Sequence, residues 1–228
     1  MVFTDDLVFI HIPKTGGMSC SRYLLRVLHG RIYNCHANAD EECCRLGRPG
    51  LVPVTDVNRH CTLAAAMGHI QRVSGDQSDR QRTILAVIRH PASLEYSFYR
   101  HLQKPHIAER RRKKSPQLVE LAMGDFKHFV AGAGYHREGL RQEDYFLVDG
   151  KTPANLQLLR YEELAEVFPA AVAAIMGKQP ELPFPHLNPS GANSRELDTL
   201  LDEETLELVY QKHAYLFDEG YYSLRQGY

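Results

Sequence analysis

The chain has no long apolar run, no surplus of either charge and no paired-cysteine pattern. None of its apolar stretches approaches the ~20 residues a bilayer-spanning helix needs, so no membrane span is predicted. Its 27 Lys and Arg face 28 Asp and Glu, a formal net charge of −1, so nothing draws the chain as a whole to nucleic acid or to a membrane surface. Five cysteines, an odd number, argue against a secreted disulfide framework. Cys35, Cys43, Cys44 and Cys61, with His36 and His60, invite a zinc site. No C-x-x-C pair occurs among them, the spacing fits no familiar zinc module, and the expectation is reduced thiols and no metal. No internal repeat is present, and with the first apolar strand beginning at Leu7 no signal peptide is expected. The 228 residues predict one α/β domain spanning 1–228, and either a soluble cytoplasmic enzyme or a trimmed chain.

What the chain does have is concentrated near its start. Leu7 to Ile12 is an apolar run of strand character that stops at Pro13 and crosses Gly16 and Gly17. It then enters a segment in which Tyr23, Leu24, Leu25, Val27 and Leu28 recur at helical spacing. A strand, a Gly-rich turn and a helix N-terminus make an anion site, because backbone N–H groups and the helix dipole converge there. Lys14 adds a mobile cation, and Thr15 and Ser19 add hydroxyls, so the stretch reads as a phosphate cradle. A Walker loop, G-x-x-x-x-G-K-[ST], places its Lys after the glycines. Here Lys14 precedes them, and no apolar strand ends in an Asp suited to Mg²⁺, which disfavours kinase or GTPase chemistry.

A second element starts at Thr83 to Ile88, another continuous apolar run of strand length. Arg89-His90-Pro91 follows, then Ser93, Leu94, Tyr96, Ser97, Phe98 and Tyr99 at roughly helical spacing. Pro91 suits a first helical turn, which leaves Arg89 at a strand's C-terminal edge, where open α/β sheets bind ligands. Ser97 lies two helical turns on. An Arg fork and a hydroxyl are suited to a terminal phosphate. The plainer reading pairs Arg89 with a carboxylate and bonds the helix Ser to its own backbone.

Pro13-Lys14-Thr15-Gly16-Gly17-Met18-Ser19 closely resembles the 5′-phosphosulfate loop of sulfotransferases that use 3′-phosphoadenosine 5′-phosphosulfate (PAPS). His11-Ile12 resembles the carbohydrate-type, heparan/chondroitin sulfotransferase-like branch, and Arg89-x-Pro91 with Ser97 resembles the 3′-phosphate element. The resemblance implies an α/β, P-loop-like three-layer fold, with a central mostly parallel sheet flanked by helices. It implies PAPS as cofactor, 3′-phosphoadenosine 5′-phosphate (PAP) as product and no required metal. The acceptor hydroxyl would belong to a small molecule or oligosaccharide of carbohydrate or glycan-like character. Lys14, Thr15, Gly16, Gly17, Met18 and Ser19 would hold the 5′ end, and Arg89 and Ser97 the 3′-phosphate.

Lys14 would also stabilise charge on the bridging oxygen, and His69 is the expected base, because Gly68-His69-Ile70 follows an apolar stretch and resembles the family's Gly-His segment. His60 and His101 are reserves, and His11 is expected to shape the loop. Met18 stands where the family usually has Thr, and Arg89-His90 replaces the commoner Arg-Asp. Leu158 to Leu164 resembles the family's late strand-to-helix segment, and His186-Leu187-Asn188-Pro189-Ser190 its late H-x-N-x-S segment. A nucleotide kinase and a non-catalytic nucleotide-binding module are the alternatives.

Elsewhere, Arg31 to Cys35 reads as a short strand, residues 36–60 as an irregular excursion, Ala64 to His69 as a third strand and Ser74 to Arg82 as a polar loop. Leu118 to Val130 reads as one helix, Leu156 to Tyr161 as a strand, Leu164 to Met176 as a helix closed by Gly177, and Glu203 to Phe217 as a final amphipathic helix. Arg110-Arg111-Arg112-Lys113-Lys114 reads as a solvated face, or as an attractor for an acidic acceptor.

Overall fold

A computed structural model describes residues 1–75, 81–135, 139–185 and 194–225, so the His186 to Ser190 segment lies outside the described residues. In chain order the elements begin with β1 (Val2–Phe3), β2 (Leu7–Ile10), α1 (Gly17–Val27), β3 (Ile32–Cys35), α2 (Ala39–Leu46), β4 (Leu51–Val54), α3 (Leu63–Ser74) and β5 (Thr83–Ile88). They continue with α4 (Pro91–Leu102), α5 (Pro105–Arg112), α6 (Pro116–Met123), α7 (Phe126–Gly132), β6 (Leu156–Arg160), α8 (Leu164–Met176), α9 (Ser194–Leu200) and α10 (Glu203–Asp218). Two compact bodies result, Met1–Ile88 with Gln142–Leu187, and Arg89–Arg141 with Asn188–Tyr228. Among the described residues no helix is long and apolar enough to cross a membrane.

The first body is an α/β layer structure built on a six-stranded sheet of order β4-β3-β1-β2-β5-β6. β2, β5 and β6 pair in parallel, as do β3 and β4, and only the two-residue β1 runs against its neighbours. Strands covered on both faces read as unbroken apolar runs, as Leu7 to Ile10 and Ile84 to Ile88 do. On one face Leu7, Phe9, Leu85 and Val87 pack with Tyr23 and Leu24 of α1 and Phe168 and Val172 of α8. On the other face Val8 and Ile84 look toward Leu63 and Ile70 of α3. The five parallel strands therefore end along one edge, where the β2–α1 turn lies.

Three expected elements are corrected. Residues 36–60 are not irregular: they hold α2, stopped by a left-handed Gly47, and β4. Their polar composition hid both, and Pro53 is tolerated because β4 is an edge strand. Ala64 to His69 is not a strand but the middle of α3. Thr62 caps it by accepting from the Ala65 amide (3.2 Å), and the alanines favour helix. Leu63, Ala66 and Ile70 form its buried face, a period of three to four residues rather than two. Leu118 to Val130 is not one helix; it breaks at Gly124, and Asp125 caps α7 through the His128 amide at 3.0 Å. β1 was not anticipated.

The second body gathers Tyr96, Phe126, Phe129 and Val209 from α4, α7 and α10 into its core. Glu95 is buried beside that core and accepts from Lys212 Nζ (3.0 Å) and His213 Nε2 (2.8 Å). Burial alone would push this carboxyl up, but the His213 and Lys212 partners outweigh it and hold the pKa below the ordinary value.

Candidate functional site

The turn between β2 and α1 is built on alternating backbone handedness. Lys14 has φ +67°, unusual for a residue with a side chain, and Gly16 has φ +80°, while Thr15 and Gly17 stay at negative φ. Such alternation aims successive N–H groups into one concavity, a nest suited to an anion. Gly16 is also the N-cap of α1 and offers no side chain to the first-turn amides. Holding Lys14 in the left-handed region costs about 1 kcal/mol or more. A non-glycine residue kept there places its side chain where a glycine could place none.

Packing enforces the turn from both sides. A Cβ on Gly16 would meet Leu164 Cδ2 at 2.6 Å and Tyr161 Cε2 at 3.1 Å, and one on Gly17 would meet the His11 ring at 2.0 Å. The Leu158 to Leu164 segment thus backs the cradle with Tyr161 and Leu164. Thr15 is buried, and its hydroxyl donates to the Ile12 carbonyl (2.9 Å), closing the turn, so the group it can offer a ligand is its backbone N–H. The Ser19 amide is likewise used inside the helix start, donating to the Gly16 carbonyl at 2.9 Å.

The chain running into α3 returns to this cradle. His60 Nδ1 donates to the His11 carbonyl (2.8 Å), and the two rings meet edge to face with centroids 4.5 Å apart. With Nδ1 carrying the proton, a neutral His60 has its lone pair on Nε2, the state required of a general base. The neighbouring Arg59 guanidinium lies against the Met18 thioether, so a cation stands where the expected Thr hydroxyl is missing. His69 sits elsewhere. It is half-buried in mid-α3, seven residues past Thr62 and therefore about 10 Å further along the axis. Its neighbours Gly68 and Ile70 line a cleft at the opposite, N-terminal end of β5 and β6. The apolar stretch before His69 is helical rather than a strand, and the histidine whose ring meets His11 beside the loop is His60.

Arg89, His90, Ser93 and Ser97 are all buried in the second body. Arg89 Nε donates to Ser93 Oγ at 2.9 Å, so Ser93 is a partner that the sequence pattern did not single out. Arg89, Ser93 and Ser97 recur at four-residue intervals, along one side of the α4 N-terminus. His90 does the work an Asp would do at this N-cap: Nδ1 accepts from the Ala92 amide (3.2 Å), and Nε2 donates to the Ser223 carbonyl (3.0 Å). His101 lies in the last turn of α4.

The cysteine and histidine group does not assemble into a metal centre. Cys35, Cys43 and Cys61 are buried and Cys44 is exposed on α2. Burial pushes the Cys35 thiol up to about 12 and raises Cys43 and Cys61 as well, which leaves them protonated thiols of low reactivity near neutral pH. His36 bonds Glu42 at 2.8 Å instead of a thiol. Among the described residues no three His, Cys, Asp or Glu side chains converge as metal ligands.

No protein-family model matches the chain, and no curated protein matches it in sequence. Among solved structures the chain is similar to a crystal structure of mouse sulfotransferase SULT7A1 complexed with PAP, with a TM-score of 0.41 and 14% identity. That likeness covers 90% of this chain and 66% of the mouse chain.

Proposed function

We propose that the chain is a PAPS-dependent sulfotransferase, moving a sulfuryl group to a hydroxyl of a carbohydrate or glycan-like acceptor. One observation carries the reading: a left-handed Lys and a left-handed Gly alternate within a strand-to-helix turn, in the order Lys-Thr-Gly-Gly. That order fits an anionic group that must be both cradled by amides and met by a charge ahead of the helix. PAPS, when bound, supplies the sulfuryl group. Residues 14–19 hold the 5′ end, and Arg89, Ser93 and Ser97 hold the 3′-phosphate. Lys14 stabilises negative charge on the departing phosphate. His60 takes the acceptor's proton at Nε2, in place of the His69 expected from sequence, and its bond to the His11 carbonyl fixes the ring.

The test is thermal stability with PAP against AMP, followed by transfer of label from PAPS to an acceptor panel. A ligand that binds only the folded state raises the melting temperature by mass action. PAP is expected to raise it well beyond AMP, which lacks the 3′-phosphate. Equal shifts would remove the role given to Arg89 and Ser97, no shift with PAP would remove the nucleotide reading, and binding without transfer to any acceptor would leave a non-catalytic module.

A further inference from the structure

The cradle lies after the C-terminal end of β2, whereas the cleft of about 570 Å³ in the same body lies at the other end of the parallel strands. Its size falls within the range of small-molecule sites. Val8 and Ile84 form its floor on the sheet, and Leu63, Met67 and Ile70 of α3 form one wall. Met67 is 55% exposed, an apolar side chain standing in water at the mouth.

The charged side chains of this cleft are of one sign. Arg82 and Lys151 line it, and no Asp or Glu does among the described residues. Lys151 closes a two-residue hairpin in which it and Val148 exchange both backbone hydrogen bonds at 3.0 Å, with Asp149 and Gly150 at positive φ. Arg82 is tied from two directions. Its Nε donates to the Thr4 carbonyl (3.1 Å), and its own carbonyl accepts from Asn155 Nδ2 (2.6 Å). Its Nη2, however, is buried with no hydrogen-bond partner among the described residues. A buried guanidinium nitrogen left unpaired is costly, and an anionic oxygen is its natural complement.

We infer that this cleft is a second small-molecule site, separate from the cradle, which takes an amphipathic carboxylate. The apolar chain or ring lies between α3 and the sheet, and the acid group meets Arg82 and Lys151. The inference does not depend on the proposed transferase activity.

The test is calorimetric titration of the full chain with decanoate below its micellar range, with decyltrimethylammonium as the cationic counterpart. Saturable binding of decanoate at one site is expected, unchanged in the presence of saturating PAP, with little binding of the cation. Gly68 supplies the decisive variant. It lines the cleft within α3, and a Cβ there meets nothing within 4 Å, so Gly68→Phe is expected to fill the cavity without harming the fold. Decanoate binding should vanish in Gly68→Phe while the melting temperature is kept. Lys151→Ala, at an exposed position, should weaken binding roughly tenfold by removing one charge-assisted contact. Absence of saturable decanoate binding, equal binding of the cation, competition by PAP, or undiminished binding in Gly68→Phe would each overturn the inference.

Discussion

His60 donates from Nδ1 to the carbonyl of His11, a residue 49 positions earlier, and the edge of one ring rests on the face of the other. That single bond ties the segment entering α3 to the strand that leads into the cradle. His60→Ala is expected to reduce transfer roughly a hundredfold or more while PAP affinity stays near normal. His69→Ala, on mid-α3, should leave turnover within a few-fold of the parent. Steady-state rates of the two variants with one acceptor decide the matter, and the reverse ranking would return the base to His69.

Lys14 combines a strained backbone with a charge, and two substitutions separate them. Lys14→Gly relieves a left-handed strain of about 1 kcal/mol and should not lower the melting temperature. It should nonetheless reduce turnover as severely as Lys14→Ala does, because both remove the cation where charge develops. Turnover retained in either variant at saturating PAPS would make Lys14 a conformational residue only.

Gly17 has no room for a side chain, whereas Gly68 has open space on its helix. Gly17→Ala is therefore expected to destabilise the protein by about 1–3 kcal/mol through overlap with the buried His11 ring. The PAP-induced melting shift should shrink in parallel. Gly68→Ala should be neutral or stabilising by up to about 1 kcal/mol, since the backbone is helical there. Differential scanning calorimetry of both variants gives the comparison.

Ser93 holds Arg89 by its Nε. Ser93→Ala should lower the preference for PAP over AMP by roughly tenfold or more, the net worth of one hydrogen bond to a charged group being about 1.5–3 kcal/mol. Titration of both nucleotides against parent and variant reads this directly.

The Glu95 carboxyl is held below its ordinary value by His213 and Lys212, against the opposing effect of burial. A depressed folded-state pKa adds stability that is fully present above the unfolded value, about 4.3, and is lost as pH falls through the lower folded one. Acid unfolding should therefore steepen below about pH 4. Glu95→Gln should flatten that dependence and cost about 3–5 kcal/mol near neutral pH, because the buried Lys212 ammonium loses its counter-charge and His213 Nε2 its carboxylate partner.

How much was legible from the chain alone varied with the range of the interactions. β2, α1, β3, β5, β6 and α8 follow from local patterns: unbroken apolar runs, helical spacing and a glycine stop at Gly177. α2 and α3 were misread because their cues conflict. α2 is polar and short, and its acidic first turn and Gly47 stop carry less weight to the eye than its loop-like composition. In α3 the run Leu63 to Met67 is apolar enough for a strand, and only the burial of Leu63, Ala66 and Ile70 together shows a helix.

The sequence by itself determined the cradle's order of Lys before glycines, the Arg-x-Pro element and the mostly parallel α/β class, because these rest on neighbours along the chain. Tertiary structure alone decided which histidine reaches the cradle, that Arg59 lies against Met18, and that Tyr161 and Leu164 leave Gly16 no room for a Cβ. Each of those joins residues about forty or more positions apart. No local propensity carries information at that range, and such contacts are settled only when the sheet has brought its strand ends to one edge.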